Sequence, residues 1–208
     1  MDKEELMAER RVVYFPNFGE QNTADVISCV GERLSEGDVS TVVVATTTGR
    51  TAMAFADGLG SRPGLRLIAV GNPPGTDYGR ITPEYRQQLT ARGVAIVDYV
   101  PYASTAFTAE ARGNVYGATD LLVVVADVWR MIGGNGLKVA MEVGLMATNA
   151  GVLQAGERVI AVGGRGTGAD TAIVMKTAYS LNVFAQDPAK RPEMIELLCM
   201  PLTKKWWW

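Results

Sequence analysis

Two short segments concentrate the side chains that could do chemistry. The first is Thr46-Thr47-Thr48-Gly49-Arg50-Thr51, where four hydroxyls, a glycine and an arginine occupy six consecutive positions. An oxyanion accepts several hydrogen bonds at once, so hydroxyls grouped with a guanidinium suit a phosphate group. Gly49 lets the backbone approach such a ligand closely. The plainer alternative is that one threonine only caps the helix that follows. The second segment is Gly163-Gly164-Arg165-Gly166-Thr167-Gly168-Ala169-Asp170-Thr171. A simple hairpin needs one or two glycines. Four in six positions, with an arginine among them, predict a loop whose backbone amides form a concave anion nest. Its candidate ligand-binding residues are Gly164, Arg165, Gly166, Thr167, Gly168 and Asp170. Asp170 either accepts from a ligand hydroxyl or ties the loop to its own backbone.

Other residues narrow the chemistry. The 208 residues include no histidine, which removes Ser-His-Asp triads, Cys-His pairs and histidine metal sites. Carboxylates at Asp120, Asp127, Glu142 and Asp170 are not spaced as a metal cluster, and no nucleophile stands beside a base. An enzyme built on this chain would draw its acid–base groups from Asp170, Glu142, Tyr78 or Tyr102. The glycine-rich run is not a dinucleotide fingerprint, because TAIVMKTA after it reads as strand rather than helix. No lysine stands beside its glycine and threonine, so it is not a P-loop either. Asn17, Asn22 and Thr23, after the first strand, line the same edge or cap a helix; Asn22 is counted with the candidate site. Asn72 reads as a turn residue. Glu142, in an apolar helix, is either a buried partner for an arginine or faces solvent.

Short β-branched runs alternate with segments of helical period, the α/β pattern. Strands are expected at Arg11 to Phe15, Thr41 to Ala45, Leu65 to Val70, Val94 to Val97, Arg158 to Val162, Ala172 to Thr177 and Ile195 to Met200. TVVVA at Thr41 to Ala45 lacks polar alternation, as a central parallel strand covered on both faces does. Helices are expected from the Asn22-Thr23 cap through Leu34, from Arg50 to Leu59, and from Thr82-Pro83 to Arg92. Thr82 caps that last helix with proline at its first position. Pro101 to Gly117 reads as a loop over the site. Ala118 to Ile132 is apolar nearly all round and is expected to be a buried helix, broken by Gly133-Gly134-Asn135-Gly136 before a further helix, Leu137 to Asn149. The two strands flanking the glycine-rich loop form an antiparallel hairpin.

Hydrophobic residues make up 48% of the chain and charged residues 20%, the balance of a globular domain able to bury a core without disulfides. Cys29 and Cys199 read as buried free thiols. The net charge of −2 argues against general nucleic-acid or anionic-membrane binding. Leu121 to Ala126, the longest strongly apolar run, is too short to span a bilayer. The charged start, Met1 to Arg11, lacks the apolar stretch of a signal peptide, so a cytoplasmic location is expected. The tail Lys204-Lys205-Trp206-Trp207-Trp208 reads as a solvated tail, an aromatic cap or a docking segment.

Taken together, the two loops resemble a known domain. VVVATTTGRTAMAFADGLGSRPGLRLIAV is similar to the strand-loop-helix-strand of the pyruvate kinase C-terminal domain, and ERVIAVGGRGTGADTAIVMKTA to its final glycine-rich effector loop and hairpin. The chain resembles more closely a poorly characterised family of stand-alone proteins with a pyruvate kinase C-terminal-like fold. The pattern includes Asn22-Thr23, the Thr-Thr-Gly loop, the KVAMEVGLMATNAG helix and VIAVGGRGTGADTA, over residues 11 to 201. It departs from that family at Gly71-Asn72-Pro73-Pro74-Gly75, where stand-alone members often carry a histidine-containing loop. The resemblance implies a three-layer α/β/α sandwich, with a mostly parallel sheet and an antiparallel C-terminal hairpin, as one domain: core about 11–201, tail 202–208. It implies a phosphate at the Thr46–Thr51 loop, from a sugar phosphate or a mononucleotide such as flavin mononucleotide. No pyruvate kinase activity is implied, since the catalytic barrel is absent. The expected function is non-catalytic binding of a phosphorylated small molecule. An enzyme acting on such a substrate, or carrying bound flavin, is the alternative, and homo-oligomerisation is a possible assembly.

Overall fold

The computed structural model describes residues 9–72, 79–98 and 121–204. The expected loop at 101–117, Tyr78, Tyr102 and the tryptophan tail lie outside them. Seven strands form a single sheet: β1 (Val13–Phe15), β2 (Thr41–Ala45), β3 (Arg66–Val70), β4 (Ala95–Val97), β5 (Arg158–Gly163), β6 (Thr171–Lys176) and β7 (Glu193–Pro201). Their order across the sheet is β1-β7-β6-β5-β2-β3-β4. Every pairing is parallel except those of β6, which runs antiparallel to both β5 and β7. The expected mostly parallel sheet with its antiparallel hairpin is therefore present. β1 is shorter than the expected Arg11 to Phe15, and β7 is longer than Ile195 to Met200, because pairing with β6 extends it to Glu193.

Alternation along the strands makes two cores. Val42, Val44, Ile160, Val162, Ala172 and Val174 face one side, packed on α1 (Thr23–Leu34), α2 (Arg50–Leu59) and α3 (Pro83–Ala91) through Val26, Val30, Phe55 and Leu89. Val43, Val159, Ala161, Ile173 and Met175 face the other, where α4 (Leu121–Asn149) supplies Leu137, Ala140, Met141 and Ala147. A sheet covered on both faces requires near-continuous apolar strands, which is why TVVVA and RVIAV carry no polar alternation. The N-terminus of α3 forms as expected: Thr82 accepts from the Tyr85 N–H, with proline in the first turn.

α4 carries the expected two helices with the expected break between them, and only the full burial of the first departs from expectation. Gly134 (φ 76°) breaks it internally. Ala126 and Leu145 share one apolar cluster with Ala178, although 19 residues of straight helix would hold them about 28 Å apart. The helix therefore doubles back at Gly134 into two arms. The second arm lies on the sheet and the first lies on the second. Val123, Ala126, Arg130 and Gly133 of the first arm are buried, whereas Leu121, Val124, Val128, Met131 and Ile132 are exposed. Among the described residues, the first arm has neighbours on one side alone.

No described helix is long and apolar enough to cross a membrane. Both cysteines are free; Cys199 is buried and Cys29 half-buried. At the edge opposite the candidate site, buried Arg33 pairs with Asp38 (2.5 Å) and Glu196 (2.9 Å). This guanidinium holds the Asp38 carboxyl well below its usual range, at about 2.

Candidate functional site

The loops after β1, β2 and β5 meet at the carboxyl edge of the sheet, where open α/β sheets place ligands. After β2, the backbone reverses at Gly49 (φ 103°), where a side chain would be strained, and α2 begins at Arg50. A Cβ at Gly49 would stand 2.4 Å from that of Tyr85, so glycine here also allows α3 to pack closely. The buried Thr46 hydroxyl accepts from the Gly49 N–H at 3.1 Å and the Ala52 N–H at 3.5 Å. Thr46 thus holds the loop in shape, and Thr51 is also buried. Thr47 is half-buried; Thr48 is exposed, and its hydroxyl accepts from the Arg50 N–H at 3.5 Å. Donors with positive helix-end potential therefore gather at Thr47 to Thr51. The Arg50 side chain is exposed and bonds Glu20 at 2.5 Å.

The glycine-rich loop is braced against the segment after β1. The Ala169 N–H donates to the Thr23 hydroxyl (3.0 Å), which donates to the Glu20 carbonyl (2.7 Å). Asp170, 1% exposed, accepts from the Gly19 N–H (3.1 Å) and the Thr171 hydroxyl (2.9 Å). Burial pushes its pKa up, and these two bonds oppose the shift. Asp170 thus ties the loop to neighbouring backbone, one of the two roles open to it from sequence. Gly166 and Thr167 are exposed at the loop tip, whereas Gly164 and Gly168 are half-buried. Asn22 is buried and donates its amide to the Asn17 carbonyl (2.8 Å). Neither Asn22 nor Thr23 caps α1 through its side chain, contrary to expectation. Both side chains shape the loop instead.

Glu20 joins the two candidate loops. Its carboxylate holds Arg50, while its Cα would lie 2.4 Å from a Cβ at Gly168. Thr46–Thr51 and Gly163–Asp170 are therefore neighbours across the Gly19–Thr23 segment.

A small recess opens beside the glycine-rich loop, lined in part by Phe18, Asn135, Gly136, Arg165, Asp170 and Lys204. The Arg165 guanidinium sits 5.1 Å from the Phe18 ring centroid. Among the described residues neither Arg165 nor Lys204 has a carboxylate partner. Asn135 donates to the Gly164 carbonyl (3.2 Å) and accepts from Arg130 (3.4 Å), joining the turn of α4 to the loop. A Cβ at Gly136 would stand 2.2 Å from Asp170 Oδ1, so this glycine is required for the close approach. Sequence reasoning singled out none of Phe18, Asn135, Gly136 and Lys204 as site residues. The Gly133–Gly136 run signalled a helix break, but nothing in its pattern placed that break here. Glu142 is buried against Lys138 rather than solvent-facing, and Arg130 adds a nearby positive charge. Burial raises its pKa, with both cations opposing the shift. Asn72 is a loop residue whose amide donates to the Gly79 carbonyl at 3.4 Å.

This edge thus offers a helix start, exposed hydroxyl and amide donors, and three cations at Arg50, Arg165 and Lys204. Groups of this kind can hydrogen-bond to and attract an anion. No protein-family model matches the chain.

Proposed function

We propose that the chain is a cytoplasmic, non-catalytic binding domain for a phosphorylated small molecule, of the pyruvate kinase C-terminal-like kind. The phosphate rests at Thr47–Thr51 on the start of α2, and the glycine-rich loop closes over the remainder of the ligand. The observation that carries this reading is the junction at Glu20, which sets the two loops side by side and holds Arg50 in an exposed ion pair. Such a pair contributes at most about 1 kcal/mol. A phosphate can displace Glu20 from Arg50, since hydrogen bonds to charged groups contribute about 1.5–3 kcal/mol.

The test is calorimetric titration with a panel of sugar phosphates, sugar bisphosphates and flavin mononucleotide. Arg50→Ala is expected to weaken the best binder by about 1.5–3 kcal/mol. Glu20→Gln is expected to strengthen it by up to about 1 kcal/mol, because it releases the competitor for Arg50. If neither variant changes affinity, the phosphate does not sit on α2. A purified protein with oxidised-flavin absorbance would identify flavin mononucleotide as the ligand.

A further inference from the structure

We propose that the recess between the turn of α4 and the glycine-rich loop is a second anion site, separate from the start of α2, and that it takes a small free tetrahedral oxyanion such as inorganic phosphate. The two places belong to opposite faces of the sheet. α2 packs with Val42, Val44, Ile160 and Val162 on one face, and the second arm of α4 packs with Val43, Val159 and Ala161 on the other. The recess lies on the α4 side, since Gly134, Asn135 and Gly136 form part of its wall. The inference therefore does not rest on the phosphate placed at Thr47–Thr51.

Three groups bring positive charge to this recess. Arg165 and Lys204 are both half-buried and line it without a carboxylate partner among the described residues. By contrast Arg33, Arg50, Arg66, Arg86, Arg92 and Arg158 each meet a carboxylate. The Arg165 guanidinium stands over the Phe18 ring, 5.1 Å from its centroid. The ring holds the group in place and leaves its N–H fork free for two oxygens of one anion. The third group is the second arm of α4, which starts at this wall after the reversal at Gly134 and presents the positive end of its dipole there. Asp170 is the one carboxylate among the described lining residues, and its oxygens accept from the Gly19 N–H and the Thr171 hydroxyl. Two cations and a helix start against one carboxylate leave positive charge in excess. A tetrahedral oxyanion offers four oxygens to these groups, whereas a carboxylate offers two. Size points to the free ion. The recess holds about 200 Å³ of space, its open mouth included, below the ~300–1,000 Å³ of sites for drug-sized ligands.

The test is amide NMR of the full chain, titrated with inorganic phosphate at constant ionic strength. The N–H resonances of Asn135 and Gly136 are expected to move along a saturable curve. Arg165→Gln and Lys204→Gln, each with unchanged circular dichroism, are expected to weaken that curve at least about tenfold, as loss of a charge-assisted hydrogen bond does. The N–H groups of Thr48 to Thr51 report the start of α2 separately, so a failure there and a failure here are read at different residues. No saturable movement at Asn135 and Gly136 would overturn the proposal, as would a curve that neither Gln variant weakens. Arg50→Gln weakening the curve as much as Lys204→Gln would overturn the separation of the two sites. A sugar phosphate that moves these two resonances at lower concentration than inorganic phosphate would overturn the assignment to a free ion.

Discussion

Gly166 and Gly168 lie two residues apart in the same loop with nearly the same backbone angle, φ 75° and 71°, and alanine at each should separate strain from contact. At Gly166 an added Cβ meets nothing within 4 Å, so Gly166→Ala costs only the left-handed conformation, about 1–2 kcal/mol. At Gly168 the same Cβ would stand 2.4 Å from Glu20 Cα, 2.5 Å from its Cβ and 2.6 Å from Thr23 Oγ1. A backbone atom cannot rotate away, so the loop must part from the Gly19–Thr23 segment. That separation breaks the bond between the Ala169 N–H and Thr23, about 1 kcal/mol net, and stretches the bond between the Gly19 N–H and Asp170, which contributes a similar amount or more. Gly168→Ala is thus expected to destabilise by about 3–5 kcal/mol in all. Urea unfolding at one fixed protein concentration reads both variants against wild type. A difference of about 2–3 kcal/mol between them is expected. Equal losses would refute the claim that the two loop segments are locked together at Gly168.

Two further expectations come from the carboxylates. Asp170→Asn keeps one oxygen to accept from the Gly19 N–H and obliges the Thr171 hydroxyl to accept instead of donate, so it is expected to cost only about 1 kcal/mol in the same assay. Asp38, held at about 2 against an ordinary 3.8 by Arg33, stabilises the fold fully above its ordinary value and loses that contribution as pH falls towards 2. Acid titration of wild type should therefore fall more steeply than that of Asp38→Asn below about pH 4, and coincident curves would remove Asp38 from the account of acid stability.

The sequence by itself determined the class of fold. Apolar strands without polar alternation, such as Thr41–Ala45 and Arg158–Gly163, can exist only inside a sheet covered on both faces, so period and composition predict the layers. Thr82-Pro83 marked a helix start for a local reason, because a cap bond spans three residues and needs no distant partner. The two candidate loops were legible as chemistry for the same reason: glycine, hydroxyl and guanidinium content is a local property.

What those residues do was decided by tertiary contacts. Thr46 and Asn22 turn their polar groups onto neighbouring backbone, Thr23 braces a loop 146 residues away, and Asp170 is bound by Gly19 across 151 residues. No local pattern encodes such partners. The arms of α4 show the same limit, since an apolar helix reads alike whether it is enclosed or stacked outermost. Only the reversal at Gly134 settles which side of the first arm is covered among the described residues.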